Sequence, residues 1–129
     1  MKIQCLDPLG INSYEREANE KLEASLPNNW KAYSSLEMRG RQSKEFEGDL
    51  ILITHDRIIN VELKNWSGKI YSKEGKWVVQ FPDGREEHRS NGVRQARRSA
   101  QILATKLKER LSDRFVPWVD HCVGLCGEA

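Results

Sequence analysis

The sequence predicts an α/β domain, a mixed β-sheet flanked by helices. Three observations carry that expectation. Apolar residues recur at helical spacing near the N-terminus and again between Asn91 and Leu111. Between these stretches lie two runs rich in Ile, Leu and Val, Phe46–Thr54 and Arg57–Lys64, separated by His55-Asp56 alone. A further apolar segment, Trp118–Leu125, follows the second helix. The order helix, three or four strands, helix, strand is that of an α/β or α+β sandwich built on a mixed sheet.

Each element has its own justification. Over Ile11–Leu26, the residues Tyr14, Ala18, Leu22 and Leu26 form an apolar stripe; Asn12 or Ser13 can cap the start, and Pro27 ends the helix. Trp30–Leu36 reads as a short strand and Met38–Lys44, polar and basic, as a loop. His55-Asp56 makes a tight turn between the two strongest strands. Ser67-Gly68 breaks the run; Lys69–Tyr71 and Trp77–Phe81 then form a second hairpin, with Pro82-Asp83-Gly84 as a turn and His88 in a loop. In the second helix, Val93, Ala96, Ala100, Leu103, Leu107 and Leu111 make the apolar stripe, while Arg94, Arg97, Arg98, Gln101 and Lys108 mostly lie away from it. Trp118–Leu125 reads as a final buried strand. The 129 residues fit one domain, with a core over about residues 11–126, and that domain can equally be one part of a longer protein.

Composition excludes several classes. The chain is 38% hydrophobic and 31% charged, the balance of a well-solvated globular protein. No apolar run reaches the roughly 18 residues of a membrane span, and the N-terminus lacks the apolar stretch of a signal peptide, so a cytoplasmic location is expected. Cys5, Cys122 and Cys126 are odd in number, which argues against a disulfide framework, and His121-Cys122 with Cys126 lacks a second ligand pair for zinc. No phosphate-cradling glycine loop is present, so nucleotide-cofactor chemistry has no support. Net charge is only +2, but from Arg85 to Arg110 eight Lys and Arg face three Glu, enough for a local basic surface.

The central hairpin carries the chemistry. If His55 and Asp56 are its two loop residues, Thr54 faces Arg57, and counting outward sets Asp49 opposite Glu62. Glu62 and Lys64, two apart, then share one face with Asp49. Two close carboxylates on an apolar hairpin each resist ionisation, and a divalent cation removes the conflict. A structural Asp49–Lys64 ion pair is the alternative. Glu15 adds to the case: projected around the first helix it falls within the roughly 120° arc of the apolar stripe, unlike Glu17, Glu20 and Glu23. A carboxylate in that position calls for a partner.

Asp49, twelve intervening residues and Glu62-Leu63-Lys64 fit the PD-(D/E)xK nuclease pattern. The longer string Val61-Glu62-Leu63-Lys64-Asn65-Trp66-Ser67-Gly68-Lys69-Ile70 resembles the signature of the nuclease-related domain, NERD, of bacterial proteins. Glu47-Gly48-Asp49 followed by Leu50-Ile51-Leu52-Ile53 resembles its upstream element, and Glu15 ahead of Leu26-Pro27 its N-terminal glutamate. Asn91-Gly92-Val93-Arg94-Gln95 resembles the opening of a later helix. Two positions depart from the pattern: Tyr14 stands where the family has glycine, and Gly92 where it has proline.

The resemblance implies a restriction-endonuclease-like fold and a metal-dependent phosphodiesterase acting on DNA. Asp49 and Glu62, with the backbone carbonyl of Leu63, are expected to bind Mg²⁺, or Mn²⁺ in its place. Lys64 would position the attacking water, Glu15 would complete or tune the site, and Gln95 would assist. Asn65, Trp66, Arg94, Arg97 and Arg98 are the expected DNA contacts, with the basic stretch Arg39–Lys44 next in line. A fused or separate helicase or kinase is the expected partner. The competing expectations are a catalytically weak DNA-binding module of the same fold and a purely structural domain.

Overall fold

The structure is a computed structural model that describes residues 2–7, 11–39, 44–66, 68–111 and 117–125. In chain order it contains β1 (Ile3–Cys5), α1 (Ser13–Ser25), β2 (Lys31–Arg39), β3 (Lys44–Ile53), β4 (Arg57–Lys64), β5 (Lys69–Lys73), β6 (Lys76–Gln80), β7 (Glu86–Arg89), α2 (Gly92–Leu111) and β8 (Trp118–Leu125). The main sheet has the order β1-β2-β3-β4-β8. Its centre, β2-β3-β4, is antiparallel, whereas β1 and β8 pair in parallel at the two edges. The expected mixed sheet flanked by helices is therefore present, together with a small antiparallel sheet, β5-β6-β7.

Alternation along the strands divides the core in two. On one side Leu50, Leu52, Val61 and Leu63 pack with Ala32 and with Ala18, Leu22 and Leu26 from α1 and the residue after it. On the other, Ile51 and Ile58 pack with Leu103, Ile102 and Leu107 of α2. Burying each such large apolar side chain stabilises by roughly 1.5–3 kcal/mol. Asn60 lies on the α2 side and is fully buried; its Nδ2 donates to the Ala96 carbonyl at 3.2 Å, pinning the helix to β4. Lys106 reaches Glu45 on β3 at 2.5 Å and anchors the far half of the same helix.

The β2–β3 hairpin changes sides partway along. Phe46, Leu36 and Met38 have the same parity as Leu50, Leu52 and Ala32, yet they pack in the α2 cluster. The switch falls between the pairs Ser34↔Leu50 and Leu36↔Gly48, where Ser35 has φ +58°. A non-glycine residue rarely adopts that conformation, and here it turns the strand over. Gly48 accommodates the turn. A Cβ at this position would lie 3.0 Å from the Phe46 ring and 3.0 Å from Ile51 Cδ1, so any side chain would push the two apart. Asp49 follows at once.

Several expectations are corrected. Met38 and Arg39 continue β2 and Lys44 opens β3, so the described ends of the stretch expected as a loop are strand; residues 40–43 lie outside the description, as do Ser67 and Cys126. β1 and β7 were not expected, and His88 belongs to β7 rather than to a loop. β8 is not a buried strand but a sheet edge, with Trp118 73% and Leu125 50% exposed, because nothing described pairs beyond it. Val93, placed on the apolar stripe of α2, is exposed. No helix among the described residues is long and apolar enough to cross a membrane.

Asn91 caps α2: its Oδ1 accepts from the N–H groups of Val93 and Arg94 at 3.0 and 3.1 Å, and its Nδ2 donates to the Gly75 carbonyl at 3.4 Å. Asn91→Ala removes these bonds and is expected to destabilise by about 1 kcal/mol, a melting shift of roughly 2–8 °C, whereas Asn91→Asp retains the cap. Equal melting of Asn91→Ala and wild type would show that the cap is energetically idle.

Candidate functional site

The β3–β4 pairing follows the expected register, from Ile53↔Ile58 to Leu50↔Val61. The next pair in that register is Asp49 and Glu62. Here the side chain takes over from the main chain: Asp49 Oδ2 accepts the Leu63 N–H at 2.9 Å. Asp49 precedes Ile51 by two residues, and Glu62 follows Asn60 by two, so both project on the α2 side of the sheet. Lys64 shares that side. Its Nζ lies 3.5 Å from Glu62 Oε1, and the two side chains are only 17% and 14% exposed. Asp49 thus accepts from the Leu63 N–H, while Lys64 lies in ion-pair reach of Glu62 and its charge is also felt at Asp49.

Glu15 reaches this end of the sheet from the first turn of α1. The cap residue Asn12 holds it doubly: Nδ2 donates to Glu15 Oε1 at 2.8 Å, and Oδ1 accepts the Glu15 N–H at 3.0 Å. Of the two caps the sequence offered, Asn12 and Ser13, the structure uses Asn12.

The electrostatics identify the cluster as overloaded with negative charge. Burial raises the carboxyl of Asp49 above its ordinary value, while the Leu63 N–H and the Lys64 charge oppose the rise. Burial also raises Glu62, and the charge of Asp49 adds to it, again against Lys64. Glu15 is raised by burial and then by Asp49, with its hydrogen bond to Asn12 opposing. The charge of Asp49 resists ionisation of both Glu62 and Glu15. Glu47 pushes all three upward. This fourth carboxylate was not singled out from the sequence, although its place two residues before Asp49 sets it at the same turn of β3.

The donor chemistry suits a hard cation. Among the described residues no group of three or more His, Cys, Asp or Glu is arranged to hold a metal ion. Magnesium, however, needs only one or two carboxylates and keeps several waters, and Asp49 with Glu62 meets that need. The structure engages Leu63 through its N–H.

The remaining residues divide. Trp66 packs edge-on against Trp77 with ring centroids 5.4 Å apart, and Lys64 Nζ stands 5.8 Å from the Trp66 centroid. The start of α2 overlies the same end of the sheet. A Cβ on Gly92 would lie 3.4 Å from Val123, the register partner of Glu62. Arg94 reaches over the β5–β6 turn at Gly75. Asn65, Gln95, Arg97 and Arg98 are exposed. Asn60 was not anticipated as a site-building residue, since a lone Asn among Ile and Val carries no helical or catalytic spacing.

The raised carboxyls set a pH dependence. A group that binds its proton more tightly when folded stabilises below its ordinary pKa, and that stabilisation is lost as pH rises through the folded value. In metal-free protein, Glu62→Gln should therefore melt like wild type near pH 4 and above it, by a few degrees, at neutral pH. Thermal melts in chelator across that range check this; a variant that is less stable at neutral pH would make Glu62–Lys64 a stabilising ion pair instead.

The sequence profile of the nuclease-related domain matches residues 12–126. The chain is also 30% identical over 112 residues to the probable kinase PglW of Streptomyces coelicolor, a match covering 85% of this chain and 7% of that protein. The chain thus spans a small fraction of the curated relative it matches. No solved structure matches at a significant level. With the family profile running from the α1 cap past the end of β8, and Glu15, Asp49, Glu62 and Lys64 gathered at one end of the sheet, the chain belongs to the nuclease-related domain (NERD) family.

Proposed function

We propose that the domain is a magnesium-dependent nuclease that hydrolyses DNA phosphodiester bonds. The observation that carries this reading is the set Asp49, Glu62 and Lys64, half-buried on one face where the β3–β4 ladder ends, in a nuclease-related domain. Asp49 and Glu62 would hold Mg²⁺, with Mn²⁺ as a substitute and the Leu63 carbonyl as a further oxygen donor. When bound, the cation supplies an activated water and neutralises charge on the scissile phosphate. Lys64 leaves Glu62 to orient the attacking water and to stabilise charge as it develops on the phosphate oxygens. Glu15, held by Asn12, tunes the charge of the cluster. Gln95, Asn65, Trp66, Arg94, Arg97 and Arg98 provide contacts to the strand, the arginines as phosphate partners. A cytoplasmic location belongs to the same reading.

A second reading has one observation in its favour: the similar PglW is named a probable kinase and is far longer than this domain. In that reading the domain docks DNA for a kinase in the same chain or a separate one and turns over negligibly.

Cleavage of plasmid and of single-stranded oligonucleotide in Mg²⁺ or Mn²⁺ separates the two. Asp49→Asn and Glu62→Gln should abolish cleavage, and chelator should do the same to wild type. Lys64→Ala should lower turnover about 10²–10³-fold while leaving affinity in Ca²⁺ nearly unchanged, because its contribution is made in the transition state. DNA bound tightly but never cut in either metal would favour the docking module.

A further inference from the structure

Between α2 and β8 runs a groove of about 560 Å³, beginning at Arg97 and ending at Lys108 and Trp118. It is set apart from the carboxylate cluster. Trp118 pairs with Arg57 at one end of β4, and Glu62 pairs with Val123 nearer the other. Five residues of strand separate them, roughly 17 Å. Ala100 and Ala104 form the floor, and their small side chains give the groove its depth.

Three features define what the groove fits. Trp118 is 73% exposed, a large aromatic face left to solvent on a sheet edge. Arg97 and Lys108, eleven residues apart on α2 and so about 16 Å apart along it, flank the groove with positive charge, and His121 adds a ring nitrogen from β8. Neither cation forms an ion pair with a described residue. The neighbouring carboxylate, Asp120, accepts from Arg57 Nη1 at 3.4 Å and from the His121 N–H at 2.8 Å, and lies 3.9 Å from His121 Nδ1.

We propose that this groove is a binding site for single-stranded nucleic acid, with one base stacked on the Trp118 indole beside a phosphate held by Lys108, and a phosphate farther along the strand held by Arg97. An exposed aromatic face at the end of a groove lined by cations recognises an unpaired base and its backbone, whereas a duplex offers only base edges and phosphates. The groove runs along α2 toward the helix start that overlies Val123 and Glu62. A strand seated on Trp118 would therefore be led to the carboxylates within about five nucleotides at stacked spacing. The proposal rests on the nuclease reading for its purpose, and the binding can be measured apart from it.

The test is fluorescence anisotropy of labelled oligothymidylate, and of a duplex, with the whole chain in Ca²⁺ over a salt series. Trp118→Ala should weaken single-strand binding by roughly five- to a hundredfold, and Trp118→Phe should restore most of it. Duplex affinity should not change with either. Arg97→Ala with Lys108→Ala should flatten the single-strand salt slope by about 1.4, two phosphates at about 0.7 each. Circular dichroism confirms that each variant is folded. Unchanged single-strand affinity in Trp118→Ala, or equal losses for duplex and single strand, would overturn the proposal. Tryptophan-dependent binding without cleavage in Mg²⁺ would retire the nuclease and keep the groove; cleavage by an enzyme indifferent to Trp118 would do the reverse.

Discussion

The carboxylate of Asp49 does for Leu63 what a main-chain carbonyl does elsewhere in the sheet. A buried backbone N–H must find an acceptor, and a charged acceptor is worth about 1.5–3 kcal/mol. Because a side chain meets this need, β3 is released from the ladder at the place where it turns over, beside Ser35 and Gly48. The sheet opens there without leaving an orphaned donor, and Glu62 and Lys64 stand in the opening. The same oxygen atoms that close the sheet also carry the charge that raises Glu62 and Glu15. Fold and site therefore share one residue, and Asn is a gentler replacement than Ala because it can still accept from Leu63.

Around that opening each layer of the domain contributes one boundary. α1 brings Glu15 through its cap, and the hairpin brings Glu47 through its kink. α2 is fastened by Asn60 to Ala96 and by Asn91 to the β5–β6 turn, which holds its first turn over the Glu62 end of the sheet. The small sheet closes the remaining side through Trp77 against Trp66. No single element makes the site; it lies where their ends meet.

How much of this the sequence disclosed depended on the period of the signal. The β3–β4 register was legible because a two-residue turn and alternating apolar residues leave one arrangement, and the pairs run as counted up to Leu50↔Val61. The position of Glu15 was legible because a helix repeats at a fixed angle. β7 was hidden because Glu86–Arg89 is entirely polar; its pairing to β6, not an apolar face, makes it a strand. β1 is three residues long and depends on β2 for its existence. The edge position of β8 was misjudged because an apolar run looks the same at the centre of a sheet and at its border. The turning over of the β2–β3 hairpin at Ser35 has no periodic signature, since it rests on one backbone angle and the absence of one side chain at Gly48.

Gly92 stands where the family pattern has proline, and its neighbour across the gap is Trp77. A Cβ at Gly92 would come within 3.2 Å of Trp77 Cζ3. The indole therefore occupies space that any other residue at the helix start would claim. The two positions share that space, so a side chain at the first moves the indole by a few tenths of an ångström. Trp66 leans on Trp77, and Lys64 stands over Trp66, so that movement is felt at the lysine. Two residues remote in sequence from Glu62 are thereby linked to the lysine beside it.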